Sequence, residues 1–185
     1  AAGIASCRFD YHGCGESGGD IAETTLTIRL GNLSTIVDYV AAHKRIDVAR
    51  IGIIGSSFGG TTALIKAARD RRIQCVSLWA TPHRLEKEGD GSIDNVLFRN
   101  DIYDDFLKYD ILSEAQHISR GLVIHGEKDE TVPVEEGRTI YNYLREPKKM
   151  EVLPNGDHVF SDQNDREFVF RLALDWFRTY LVQRQ

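Results

Sequence analysis

The sequence predicts an α/β fold built on a mostly parallel sheet, and three observations predict it. Short apolar runs recur along the chain, stretches with helical spacing lie between them, and glycine-rich turns join one to the next. Strands that alternate with helices pair in parallel through crossover connections, and the crossovers cover both faces of the sheet.

Residues 3–9 form an apolar run that ends in Asp10 and a glycine-rich loop, the pattern of a buried strand entering a turn. Residues 26–44 carry Leu33, Ile36, Val37 and Val40 at helical spacing and predict an amphipathic helix. Residues 50–55 (RIGIIG) read as a strand, followed by glycines and a helix-forming run over 63–69. Strands are expected again at 73–80, 121–125 and 149–153, with a helix around 135–144. Residues 165–182 close the chain as a helix with Val169, Leu172, Ala173, Trp176 and Tyr180 on one face. With 42% hydrophobic and 28% charged residues in 185, composition predicts a single domain over residues 1–185. Residues 84–117 break the alternation and are expected to be a cap or lid insertion.

Charge and cysteine usage narrow the class. The net charge of −5 and the lack of a Lys/Arg cluster argue against a nucleic-acid surface. The imbalance is local: residues 84–117 hold nine acids against four bases, leaving 19 of each sign elsewhere. No run of 18 apolar residues predicts a membrane span, and the opening AAGIASCRFD lacks a signal-peptide layout. Cys7, Cys14 and Cys75 are odd in number and form no C-x-x-C pair, which points to reduced thiols in a cytoplasmic protein and to no metal site. Cys7 and Cys75 fall in strand patterns and are expected in the core, Cys14 in a loop.

Residues 55–60 (GSSFGG) fit G-x-S-x-G with Ser57 in the centre, directly after a strand and before a helix. Ser56 stands one place too early to have both glycines at the required offsets. A serine there sits on a strained turn that admits no side chains beside it, and the N–H of Phe58 at the helix start can stabilise a developing oxyanion. Serine needs a base oriented by a carboxylate. The strand at 121–125 runs into GEKDETVP, which places Asp129 in the following loop, and the strand at 149–153 runs into PNGDHVF, which places His158 likewise. Glu127 and Asp157 compete with Asp129, but the first lies along the strand end and the second adjoins the histidine it would have to face. Of the other histidines, His43 and His117 fall at a helix end and near a loop, and His125 reads as a packed or hydrogen-bonded strand-end residue. His83 follows a strand at the sheet's carboxyl end and is expected to line the pocket, with Phe98, Tyr103 and Phe106 of the insertion contacting an acyl or aromatic group.

The chain resembles the α/β-hydrolase family on four motifs in order: FDYHGCGES, GSSFGG, HGEKDETVP and NGDHVF. It is most similar to small bacterial esterases of the feruloyl-esterase and dienelactone-hydrolase kind, although a double glycine after Phe58 also occurs in prolyl-oligopeptidase-type peptidases. The resemblance implies a serine hydrolase that cleaves carboxylic esters through Ser57, His158 and Asp129, with no cofactor. The expected partners are a small-molecule ester and at most a second copy in a homodimer, with no nucleic acid and no membrane. A peptidase, a thioesterase or a non-catalytic binding module on the same framework are the alternatives. The HGCG run is not the family's oxyanion loop, because Ser57 follows His12 by only 45 residues; FDYHGCGESGG reads as the loop after the family's fourth strand, shaping the pocket floor. Its G-x-G-x-x-G match opens no helix and is no dinucleotide site.

If residues 3–9 are that fourth strand, the third strand, which the family places between the fourth and fifth, has no counterpart in the chain, nor does the loop after it that gives the second oxyanion donor. Two strands meant to flank it would stand roughly 9.5 Å apart with unpaired backbone between them. Losing one oxyanion donor costs ~3–4 kcal/mol in the barrier. The expectation is a fragment of a protein with about 50–80 further residues upstream, a size implied by the resemblance. Circular dichroism and thermal melting of this chain alone should show no cooperative transition; a sharp melt with esterase activity contradicts the expectation.

Overall fold

The structure, a computed structural model, describes residues 3–86, 92–93, 96–97, 99 and 101–182. Along the chain run α1 (Leu26–Ala42), β1 (Ile51–Ser56), α2 (Phe58–Arg69), β2 (Ile73–Trp79), β3 (Ser92–Ile93), β4 (Val96–Leu97), α3 (Asp101–Phe106), α4 (Ile111–Ala115), β5 (Ser119–Gly126), α5 (Val134–Tyr143), β6 (Arg145–Leu153) and α6 (Gln163–Phe177). They fall into two units: Ala1–Ile4 with Asp47–His83 and Ile111–Gln185, and Ala5–Ile46 with Arg84–Asp110. Among the described residues, no helix is long and apolar enough to cross a membrane.

The first unit holds a four-stranded parallel sheet in the order β1-β2-β5-β6. Alternation along each strand sends successive side chains to opposite faces. Cys75 of β2 with Leu122 and Ile124 of β5 points toward α6, where Val169, Ala173 and Phe177 complete a core joined by Leu153 and Phe160. The alternate residues, Val76 and Leu78 of β2 and Val123 of β5, are buried as well, because α2 and α5 pack on these strands. A strand covered on both faces reads as a continuous apolar run, which is why GLVIH was legible as buried. Each such side chain stabilises the fold by roughly 1.5–3 kcal/mol. Burial pushes the Cys75 thiol up to about 12, so it behaves as a small apolar group.

Caps set the helix bounds. Asp162 accepts from the backbone N–H groups of Asn164 and Asp165 at 2.8 and 3.1 Å and starts α6. The expected single helix over 165–182 instead changes at Phe177 into a π-helical turn, Arg178–Val182. At the other end of α2, Lys66 and Arg72 both pair with Asp70, at 2.8 and 2.6 Å, and hold the turn into β2.

Two expectations fail near the start of the chain, a strand over residues 3–9 and a core place for Cys7, whereas the unpaired side of β1 agrees with the missing third strand. Residues 4–10 belong to no strand, and β1 pairs only with β2 among the described residues. An apolar run becomes a strand only where a neighbour satisfies its N–H and C=O groups, and this one has none. For the same reason Cys7 is exposed and not a core residue, while Cys14 is half-buried.

In the second unit, Thr25 caps α1 by accepting from the Ile28 N–H at 3.2 Å, and Leu33 and Val37 are its buried stripe. The Asp105 carboxylate of α3 is buried and accepts from the N–H and hydroxyl of Thr27 at 2.8 and 2.6 Å and from Lys108 at 3.0 Å. The loop FDYHGCGESGG closes on itself: Asp10 accepts from the Glu16 N–H and the Ser17 hydroxyl, and Gly13 donates to the Gly18 carbonyl. Gly13 has φ 74°, and a Cβ there would meet the Ile21 backbone.

The turn from β1 into α2 is closely packed. A Cβ on Gly55 would collide with the Gly59 carbonyl and stand 2.8 Å from the Ala63 Cβ. Backbone cannot rotate aside, so Gly55→Ala should lower the stability of the intact protein by ~1–3 kcal/mol in urea unfolding. An unchanged midpoint would contradict this reading of the turn.

Candidate active site

Ser57 stands between β1 and α2 with φ 52° and ψ −130°, a conformation that costs a non-glycine residue about 1–3 kcal/mol. Its surroundings hold it there. The Ser57 N–H donates to the Trp79 carbonyl at 2.8 Å, one step beyond the β1–β2 ladder, and its own carbonyl accepts from the Gly60 N–H at 2.8 Å. Phe58 opens α2 directly after this turn.

Asp129 and His158 come from the loops after β5 and β6, and the structure brings them together. Asp129 Oδ2 lies 2.8 Å from His158 Nδ1. The contact depends on the two loops being bound to each other: the Glu127 N–H donates to the Leu153 carbonyl at 2.9 Å and the Lys128 N–H to the Gly156 carbonyl at 3.0 Å. Asp129 Oδ1 accepts from the backbone N–H groups of Thr131 and Val132 at 2.9 and 2.8 Å. Burial pushes the Asp129 carboxyl up, but the donors on it, His125, His158 and the Val132 N–H, outweigh that and leave it well below the usual carboxylate range. An ionised Asp129 accepts a hydrogen bond from His158 Nδ1–H and so leaves Nε2 as the basic nitrogen.

The competing acids are engaged elsewhere. Glu127 pairs with Arg138 at 2.9 Å on the surface, and Asp157 accepts from the Ser161 N–H at 2.8 Å. His83 is held by Glu136, a buried residue in the first turn of α5: its backbone N–H donates to Glu136 Oε2 at 2.9 Å, and its Nδ1 lies 2.6 Å from the same oxygen. The loop carrying His83 also lies on α2, since the Thr61 hydroxyl donates to the Pro82 carbonyl at 2.6 Å. Tyr103 is half-buried and Phe106 buried in the second unit, and Phe98 lies outside the described residues. Among the described residues no group of His, Cys, Asp and Glu is arranged to hold a metal ion.

One residue and one contact at this end of the sheet escaped the sequence reading. Glu136 gave no signal, because an acid in a first helical turn is ordinary dipole chemistry. His125 was read as a packed or hydrogen-bonded residue, and it is fully buried with Nε2 at 2.9 Å from the Val132 carbonyl. What went unseen is its approach to Asp129 Oδ2, at 3.3 Å. The H-G-x-x-D spacing gives a contact only once the chain turns back at Gly126.

The sequence profile of the prolyl oligopeptidase family matches residues 2–184. The chain belongs to that family. Within reach of this prolyl oligopeptidase family member, the YfhR protein of Salmonella typhi, itself uncharacterised, is 27% identical over 159 residues, covering 82% of this chain and 53% of that protein. The mitochondrial palmitoyl-protein thioesterase ABHD10 of Mus musculus is 26% identical over 203 residues, covering 88% of this chain and 62% of that protein. The chain thus spans about half the length of the curated relatives it matches. Est1E of Butyrivibrio proteoclasticus, solved with ferulic acid bound, superposes with a TM-score of 0.78 at 20% identity, covering 90% of this chain and 75% of that one. At that identity the likeness is one of fold, and the fold is the α/β-hydrolase fold.

The depressed Asp129 pKa contributes stability that is present above the unfolded carboxyl value, about 3.9, and is lost as pH falls through the folded one. Asp129→Asn in the intact protein should therefore flatten the acid-side fall of the urea midpoint below about pH 4. A slope equal to the wild type's would contradict that account.

Proposed function

We propose that the protein is a serine hydrolase that cleaves carboxylic esters through an acyl-enzyme. The observation that carries this reading is the 2.8 Å contact between Asp129 and His158, on loops at the same carboxyl end of the parallel sheet as the strained Ser57 turn. Ser57 Oγ attacks the ester carbonyl carbon while His158 Nε2 takes its proton. The carbonyl π electrons move to oxygen, and the Phe58 N–H stabilises the oxyanion. Collapse of the tetrahedral species breaks the bond to the alcohol oxygen, which leaves with the proton from His158. Water, deprotonated by His158, then attacks the acyl carbon, and collapse breaks the bond to Ser57 Oγ, which takes the proton back from His158 as the acid leaves. Asp129 keeps the His158 hydrogen on Nδ1 throughout and stabilises the imidazolium. The substrate in this reading is a small neutral ester, with His83 at the pocket wall.

Family membership favours a second reading, hydrolysis of a peptide bond, and the mouse relative adds a thioester. The same three side chains serve all three bonds, and the leaving group decides among them. A fluorophosphonate probe should label the intact protein and fail to label Ser57→Ala. Among p-nitrophenyl esters, aminoacyl p-nitroanilides and acyl thioesters, the short esters should give the highest kcat/KM. Preference for an anilide or a thioester shifts the reading to the corresponding bond, and no labelling of the folded protein favours a binding module without catalysis.

A further inference from the structure

His125 occupies a place that the reaction steps do not use. Its ring is fully buried on the α5-facing side of β5, and a Cβ at Gly137 of α5 would stand 2.5 Å from its Nδ1. That nitrogen has no hydrogen-bond partner among the described residues. Nε2 faces two atoms that can only accept, the Val132 carbonyl at 2.9 Å and Asp129 Oδ2 at 3.3 Å. The ring hydrogen therefore belongs on Nε2, because on Nδ1 it would be a buried donor with nothing to receive it.

Two imidazoles thus converge on one carboxylate oxygen in opposite tautomers, His158 through Nδ1–H and His125 through Nε2–H. His158 must exchange a proton and move slightly during a turnover, whereas His125 is clamped between β5 and α5. We propose that His125 is a positioning residue for Asp129: its shared N–H ties Oδ2 and the Val132 carbonyl to the sheet, so that the carboxylate keeps its orientation when His158 moves. Oδ1 is already fixed by the Thr131 and Val132 N–H groups, and the tie on Oδ2 completes the restraint on rotation about the carboxyl bond. The inference rests on the serine-hydrolase reading of Ser57, Asp129 and His158.

The test compares His125→Leu, which removes the donor, with His125→Gln, whose amide nitrogen reaches about as far as Nε2. Rates are measured on the intact protein and normalised to sites titrated with a fluorophosphonate. His125→Leu should lower kcat by about tenfold to a hundredfold with KM little changed, and His125→Gln should recover most of that loss. In the leucine variant Oδ2 presents more charge to His158, so the acid limb of kcat/KM should move to higher pH, and in the glutamine variant it should stay near the wild-type position. A leucine variant that melts earlier but keeps kcat per titrated site and the position of the acid limb overturns the proposal and leaves His125 as core packing.

Nitrogen-15 NMR of the wild type decides the matter should the leucine variant not fold. His125 should appear with its hydrogen on Nε2 and His158 with its hydrogen on Nδ1, and an Nδ1–H form of His125 overturns the proposal. Activity that survives Ser57→Ala overturns the serine-hydrolase reading and this inference with it. Activity lost in Ser57→Ala but wild-type in His125→Leu removes this inference alone.

Discussion

A carboxylate taken out of water must find its hydrogen-bond donors within the protein, and Asp129 finds them on separate pieces of chain. The turn after Asp129 supplies two backbone N–H groups, the loop after β6 supplies His158, and β5 itself supplies His125. Those donors stay in place only if the β5 and β6 loops keep their register, which the bonds from Glu127 and Lys128 across to Leu153 and Gly156 enforce. The loops in turn inherit their height from the parallel pairing of Ile124 with Glu151 and Gly126 with Leu153. Sheet, loop and site are therefore one hydrogen-bonded object, with the ionised acid at its centre.

Much of this was legible in the sequence. β5 announced itself because a buried parallel strand is a short apolar run, and Ser57 because glycines at positions 55 and 60 permit an approach that larger residues would block. The order of Ser57, Asp129 and His158 along the chain carried the rest of the site. Residues 3–9 misled for a physical reason: apolar composition states what a segment can do when paired, and pairing is a property of the neighbours. Cys7 was misplaced with them. The Glu136 and His83 pairing stayed hidden because it joins residues 53 positions apart through one buried oxygen, and nothing local marks either partner.

The strain at Ser57 and the burial of Asp129 place a cost on the folded state that the apolar layers must offset. The layers are continuous on both faces: Leu122, Val123 and Ile124 of β5 are all at 0% exposure, and the strand is buried from there to its end beside the acid. Rigidity of this kind suits the serine-hydrolase chemistry proposed above, in which the acid and the imidazole hold a fixed distance. It also explains why His125, one residue beyond that apolar run, is as inaccessible as its neighbours despite being polar.

Gly126 and Gly156 give the site a particular relation to sequence drift. A Cβ on Gly126 would strike the Gly156 backbone, and one on Gly156 would stand 3.1 Å from the Gly126 Cα. The two loops that carry Asp129 and His158 touch backbone to backbone, so neither glycine can accept a side chain by adjusting its own loop alone. Exposed positions in the same loops, such as Glu130 and Val159, meet no such constraint. Side chains can therefore be varied at the rim, while the backbone contact beneath it keeps its closeness only with both glycines in place.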